Sequence, residues 1–186
     1  MSYVVAISGS PSADSRTARV AEHLLHRLAA DGRGVGHITV RDLPPAELLG
    51  GSAAHPALRP ALHTVARAEG VVVATPVYKA SYSGLVKVFL DLLPQSGLAG
   101  KVVLPLVTGG SLAHMLAMDY ALRPVLSALG ARHIVPGAFL LDSVIERVGA
   151  ASCRVEPEAE LRLWQAVDGF AEALTGRAAP TLSAAL

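Results

Sequence analysis

Residues 3–17, YVVAISGSPSADSRT, decide the fold, because they pass from a buried strand through a loop of small residues into a helix. The run Tyr3–Ser8 is nearly all apolar, as expected for a strand of a parallel sheet that is covered on both faces. After Gly9 the chain enters a segment in which apolar residues recur at helical spacing as far as Ala30. The stretch therefore predicts a strand–loop–helix unit of an α/β fold.

The same alternation continues along the chain. Further strands are predicted at 35–40, 71–75, 101–107 and 133–141, and helices at 14–30, 57–69, 83–93, 111–129 and 161–174. Five strands separated by helices predict a parallel sheet with helices on both faces. We expect residues 1–176 to form a single domain and residues 177–186 to form a C-terminal tail.

Composition excludes several classes of protein. Hydrophobic residues make up 52% of the 186 and charged residues only 17%, which excludes wholesale disorder. A net charge of +1 favours no nucleic-acid partner, and one cysteine cannot form an internal disulfide. The first residues show no signal peptide and no apolar run reaches membrane-spanning length, so we expect a cytoplasmic protein with no membrane partner. The low charge favours a large buried surface, such as a subunit interface.

Ligands of such sheets bind at the carboxyl ends of the strands, near the point where strand order reverses. The loop of residues 8–17, after the first strand, leads to a helix N-terminus, where free N–H groups and the helix dipole favour an anion. Its five serine and threonine hydroxyls, together with Arg16, are typical of a monophosphate site, and no dinucleotide fingerprint follows this strand. A serine-rich helix cap with a solvated arginine fits the same residues.

Two further loops end strands at the same edge of the sheet. In residues 75–84, Pro76 turns the chain, and Val77 and Tyr78 are placed where a flat ring could pack. The alternative is that Tyr78 and Tyr82 merely cover the edge of the sheet. In residues 108–111, TGGS, paired glycines allow a ligand to approach the backbone, although a plain tight turn needs the same residues.

Taken together, SGSPSADSRT, ATPVYKASYSGLVK and LPLVTGGSLAHML resemble the NADPH-dependent FMN reductases, over about residues 3–145. Within that family the chain is most similar to the flavin reductases that supply an alkanesulfonate monooxygenase. The resemblance implies a flavodoxin-like three-layer sandwich whose five parallel strands have the order 2-1-3-4-5. It also implies that NADPH or NADH transfers hydride from nicotinamide C4 to N5 of FMN, with no catalytic side chain required.

The resemblance assigns residues to FMN. It implies that the phosphate is held by Ser10, Ser15, Arg16 and Thr17, and the isoalloxazine by Pro76, Val77, Tyr78 and Lys79. Thr108, Gly109, Gly110 and Ser111 would pack near the ring, and His114 would face it. At Ser12 many members of the family have a basic residue instead.

The pair Asp119-Tyr120 interrupts an otherwise apolar helix. Related two-component flavin reductases carry an inserted residue here, often a tyrosine, that forms a π-bulge. The resemblance therefore implies a π-bulge at Tyr120, a role for Tyr82 or Tyr120 in flavin release or at a subunit interface, and a homodimer or homotetramer. The reduced flavin would then pass to a monooxygenase.

Other interpretations fit parts of the sequence. His23 and His26 have a spacing that a metal could bridge, but no carboxylate–histidine motif accompanies them, and we expect no metal. Ser111, His114 and Asp119 invite comparison with a hydrolase, but the chain has no GxSxG elbow. A quinone or azo reductase, or an electron-transfer flavoprotein, would share the fold and remain as alternatives.

Overall fold

A computed structural model describes residues 2–149 and 152–176 of the chain. These residues contain one main sheet, covered by helices on both faces, and a separate two-stranded hairpin. The tail predicted at 177–186 lies outside the described residues.

The main sheet confirms the predicted strand order but contains more strands than predicted. Its members are β1 (Tyr3–Ser8), β2 (Gly34–Thr39), β3 (Gly70–Tyr78), β4 (Ser81–Tyr82), β5 (Val102–Gly109), β6 (His133–Ile134) and β7 (Ala138–Leu141). The parallel strands run in the order β2-β1-β3-β5, and β6 and β7 both pair with the outer side of β5. β4 adds a short antiparallel pairing to the end of β3. The prediction of five strands is therefore wrong in number, since the sheet has seven.

The fifth predicted strand, 133–141, is divided into β6 and β7 for a local reason. Pro136 lies in the gap and has no N–H to donate to a neighbouring strand. Gly137 follows it and passes so close to β5 that a Cβ would lie 2.7 Å from the carbonyl oxygen of Pro105. The backbone crosses this point without ladder pairing and then resumes the same path along β5.

The helices form the two outer layers. They are α1 (Arg16–Ala30), α2 (Pro45–Leu49), α3 (Arg59–Arg67), α4 (Gly84–Leu90), α5 (Arg123–Ala128) and α6 (Pro157–Thr175). Successive residues of a strand point to opposite faces, so Val4 packs with α1 and α6 while Val5 packs with α3, α4 and α5. Both faces of the central strands β1, β3 and β5 are therefore buried almost throughout, which explains why these strands are nearly all apolar. None of the helices in the described part of the chain is long and apolar enough to cross a membrane.

The continuous helix predicted at 111–129 is instead three consecutive pieces. A 3₁₀ turn covers Leu112–Met115, a π-helix covers Met118–Leu122, and α5 follows directly. Pro124 cannot donate the backbone hydrogen bond that an uninterrupted α-helix needs, and it lies in the first turn of α5, where that loss is harmless. The π-helix contains Tyr120, as the family resemblance implied.

The hairpin of β8 (Ile145–Val148) and β9 (Ser152–Val155) was not predicted. It contacts α1 on the face of the sheet that α1 and α6 cover. The last helix also begins earlier than predicted, since α6 starts at Pro157, a residue type favoured in the first turn of a helix.

Candidate functional site

A cleft of about 220 Å³ lies at the carboxyl ends of β1, β3 and β5. Its wall combines eight residues predicted from the sequence with four that were not. The predicted ones are Ser10, Ser15, Arg16, Thr17, Pro76, Val77, Tyr78 and Thr108, and the additional ones are Ser12, Asp14, Asp142 and Arg147. The first loop, the second loop and the first residue of the third thus meet at one place.

The loop between β1 and α1 is held by its own serines. Ser15 caps α1 and its Oγ accepts a hydrogen bond from the N–H of Ala18 at 3.1 Å, while Ser10 Oγ accepts one from the N–H of Ser12 at 3.3 Å. The N–H groups of Arg16 and Thr17 have no acceptor among the described residues. Two backbone donors at the positive end of a fifteen-residue helix therefore remain for an anion in the cleft.

Arg16 is anchored at one atom and free at two. Its Nε donates to the carbonyl oxygen of Ile145, at the start of β8, at 3.2 Å. Its two terminal nitrogens have no partner among the described residues. The guanidinium is thus held at the cleft wall with donors available, as a phosphate site requires.

Thr17 joins the first loop to the third. Its hydroxyl lies 2.7 Å from the hydroxyl of Thr108, and both side chains are buried. The contact fixes the first turn of α1 against the end of β5. The contact does not involve the backbone N–H of Thr17.

Gly9 and Ser83 join the first loop to the second. A Cβ on Gly9 would lie 2.3 Å from the Cβ of Val86 in α4, so only glycine fits this contact. Ser83, which caps α4, donates from its hydroxyl to the carbonyl of Gly9, and its N–H donates to Thr75 Oγ1 at 2.9 Å. The two loops are therefore fixed relative to each other before any ligand binds.

The second loop is a tight hairpin in a strained conformation. Lys79 and Ala80 form its two-residue turn, with φ of 50° and 63°. Such positive values suit glycine or asparagine, and they cost other residues energy that the surrounding structure must offset. The turn places half-exposed Tyr78 on the cleft wall, whereas Lys79, Tyr82 and Tyr120 lie outside it.

The third loop lies beside the cleft rather than in its wall, except for Thr108. Gly109 approaches His114 closely, since a Cβ there would lie 3.1 Å from its Nδ1. This Nδ1 is buried and has no hydrogen-bond partner among the described residues. Ser111 caps the 3₁₀ turn through a hydrogen bond from the N–H of Ala113. Contacts of Gly109, Gly110, Ser111 and His114 with a flavin stay predictions.

The two histidines of α1, His23 and His26, have structural partners. His23 Nε2 lies 2.9 Å from Glu160 Oε1 in α6, and His26 pairs with Glu22 on its own helix. No group of three metal-ligating side chains occurs in the described ranges.

The comparisons with known proteins agree with this geometry. A family model described as "NADPH-dependent FMN reductase" matches residues 2–146. The chain belongs to the NADPH-dependent FMN reductase family. An FMN reductase (NADPH) of Pseudomonas putida is 44% identical over 95% of this chain and 90% of its own length. One of Escherichia coli, with the same name, is 42% identical over 94% and 91%.

A solved structure matches as well. It is an NADH:FMN oxidoreductase in its apo form, 47% identical, with a TM-score of 0.85 over 95% of this chain and 92% of that one. Membership of the FMN reductase family confirms the predicted fold class, the enzyme class, and FMN with NADPH or NADH as cofactors.

Proposed function

We propose that this FMN reductase binds FMN as an exchangeable substrate at the cleft and passes the reduced flavin to a monooxygenase that depends on it. The unpaired N–H groups of Arg16 and Thr17, next to the free guanidinium nitrogens of Arg16, carry the assignment of the cleft. Three or more converging donors around a helix N-terminus fit a phosphate monoester, and the residues present therefore fit FMN.

The remaining contacts follow from the shape of the site. With the phosphate at α1, Pro76, Val77 and Tyr78 would lie beside the isoalloxazine, and the loop 108–111 would pack near the ring. Ser10 and Ser15 hold the first loop in shape through their hydrogen bonds to its backbone. The pairing of β3 with β4 and the hydrogen bonds of Ser83 hold the second loop in place, which reduces the ordering cost of binding.

Bound flavin supplies the redox chemistry by accepting hydride from the nicotinamide, and this chain supplies position and electrostatics. The Arg16 guanidinium and the α1 amides hold the charged end of the substrate. Pro76 and Val77 offer an apolar wall that excludes water from one face of the ring. No proton needs to be stored on a side chain for hydride transfer itself.

The π-helix supports the exchange of flavin. The segment Met118–Leu122 packs against β4, which belongs to the second loop. π-bulges are often found at functional sites, and this one adjoins the proposed ring-binding hairpin. Tyr120 is 80% exposed in the single chain, and Tyr82, in β4, is partly buried. We assign both to flavin release or to a subunit interface near the flavin.

A steady-state assay tests the proposal against its rivals. The purified protein is supplied with NADPH and, separately, with free FMN, a benzoquinone or an azo dye, and NADPH oxidation is followed. We expect colourless protein that turns over free FMN many times. A yellow protein that reduces the quinone or dye well and free FMN poorly would be a quinone or azo reductase. A yellow protein with no steady turnover would be an electron-transfer flavoprotein.

A further inference from the structure

The β8–β9 hairpin forms a wall of the phosphate cleft that the sequence motifs do not include. Arg19 of α1 holds it in place, since its Nη1 donates to the carbonyl oxygens of Val148 at 3.3 Å, Gly149 at 3.1 Å and Ser152 at 2.5 Å. Arg16 also holds β8, because its Nε donates to the carbonyl oxygen of Ile145, the first residue of that strand. The hairpin is thus fixed to the same helix end that offers the free N–H groups.

Arg147, on β8, brings a second guanidinium to the cleft. Its side chain is 40% exposed, and its Nη1 lies 2.5 Å from Asp14 Oδ2. It has no other partner among the described residues. Asp14 is bound independently by Arg19 at 2.8 Å, so the carboxylate keeps a cationic partner if Arg147 moves away.

The charges around the cleft show why a bound phosphate needs a second cation such as Arg147. Its wall carries two cations, Arg16 and Arg147, and two carboxylates, Asp14 and Asp142. A phosphate monoester brings about −1.5 to −2 charges at pH 7. Arg16 alone leaves this charge poorly balanced in the presence of two carboxylates. A second guanidinium that can exchange one partially exposed carboxylate for the phosphate corrects the balance at little cost.

We infer that Arg147 is a phosphate-specificity residue, which exchanges Asp14 for the phosphate monoester so that the phosphate lies between α1 and the hairpin. This rests on the proposed function, since it names a further contact of the same FMN site. The phosphate is assigned to FMN. NADPH carries a 2′-phosphate of the same chemistry, and the experiment below distinguishes the two phosphates.

The test compares Arg147→Gln with Arg154→Gln. Arg154 is a matched control, because it lies on the neighbouring strand of the same hairpin, is 72% exposed, and pairs, within the part of the chain that the structure describes, only with Glu146 outside the cleft. FMN and riboflavin binding are measured by quenching of flavin fluorescence. We expect Arg147→Gln to weaken FMN roughly tenfold and to leave riboflavin binding unchanged. Arg154→Gln should bind both flavins like the parent.

A second variant tests the exchange itself. Asp14→Asn removes the competing carboxylate, so FMN should bind roughly twofold to fivefold more tightly, again without change for riboflavin. The gain should disappear when Asp14→Asn is combined with Arg147→Gln, which a double-mutant cycle measures. Unchanged riboflavin binding in each variant shows that the cleft is still folded.

Three results would overturn the inference. The first is equal FMN binding by Arg147→Gln and Arg154→Gln while Arg16→Ala weakens it, which would leave the proposed function standing. The second is a raised KM for NADPH but not NADH in Arg147→Gln with FMN binding unchanged, which would assign Arg147 to the 2′-phosphate. The third is an equal loss for FMN and riboflavin, which would make the role structural. If the parent itself fails to bind FMN, the proposed function is wrong instead.

Discussion

At the scale of single residues, Arg16 offers the most direct test of the phosphate site. Its terminal nitrogens have no partner in the described ranges and its Nε is anchored on Ile145, so replacement removes charged donors without disturbing an ion pair among these residues. Hydrogen bonds to charged groups contribute about 1.5–3 kcal/mol, and Arg16→Ala should therefore weaken FMN roughly 10- to 150-fold. Riboflavin, which lacks the phosphate, should bind the variant and the parent almost equally.

Arg27→Ala is the control for that experiment. Arg27 lies in the last turn of the same helix and pairs with Asp168 at 2.7 Å, far from the cleft in sequence and in the fold. The substitution Arg27→Ala removes the same charge from the protein as Arg16→Ala but should leave FMN affinity unchanged. If Arg16→Ala binds FMN as well as Arg27→Ala does, the phosphate does not bind at α1.

Gly9 tests how firmly the first two loops are joined. Alanine there would place its Cβ 2.3 Å from the Cβ of Val86 and 2.9 Å from backbone atoms, which α4 can relieve only by moving. Overpacking of this kind costs about 1–3 kcal/mol or more in the free energy of unfolding. We expect Gly9→Ala to lower the midpoint of urea unfolding and to weaken FMN binding by displacing the loop.

Gly169→Ala is the matched control for Gly9→Ala, since Gly169 lies within α6 and no atom is within 4 Å of its added Cβ. Alanine in an open helical position should raise the free energy of unfolding by roughly 0.5–1 kcal/mol. A Gly9→Ala protein as stable as the parent would show that the contact with α4 is not rigid.

At the scale of secondary-structure elements, the strand–loop–helix units were predictable because local chemistry determines them. Gly9 follows β1, Pro76 lies near the end of β3 and Gly109 ends β5, so small or turn-forming residues stand where the backbone leaves the sheet. These units bring eight predicted residues to one cleft. The motif order carried the family assignment, which no single loop would have supported.

The hairpin β8–β9 was not predictable by the same means. Each of its strands has four residues, and Glu146, Arg147 and Arg154 are exposed, so no buried run or sustained alternation marks it. Its position depends on the contacts of Arg19 with its backbone, which are tertiary. Asp142 and Arg147 therefore reach the cleft without any motif around them.

The π-helix is the element whose removal is most informative. Deleting Tyr120 should convert Met118–Leu122 to regular α-helical pairing and shift its packing on β4. We expect a variant that purifies yellow, releases flavin slowly and turns over free FMN poorly, while still accepting hydride once. Absorbance at flavin wavelengths and single-turnover reduction by NADPH measure these properties.

Tyr120→Ala separates the ring from the extra backbone residue. The point variant keeps the chain length, so it should resemble the parent if the π-helix geometry alone matters and the deletion if the ring contributes. A deletion variant that stays colourless and fully active would limit Tyr120 to packing at an interface.

At the scale of the whole molecule, the surface after β5 exposes several large apolar side chains. Leu112, Met115, Leu116 and Tyr120 are all exposed along the 3₁₀ turn and the π-helix, next to the hairpin that presents Tyr78. Contiguous apolar surface of this kind marks an interaction site in soluble proteins. Because the segment packs on β4, assembly through it would place the proposed flavin ring near an interface.

We therefore expect light scattering to give a mass of two or four times 19.2 kDa at micromolar concentration, with or without FMN. A charged residue inside the apolar patch should oppose assembly, because an unpaired buried charge is costly. Leu116→Asp should shift the mass towards that of one chain, whereas Leu49→Asp, at a more exposed leucine on α2 outside this patch, should not. FMN turnover by Leu116→Asp then shows whether a partner chain completes the site: a monomer with parental kcat has a self-sufficient cleft. If the parent protein is a monomer, the proposed assembly surface and the interface role of Tyr120 are both wrong.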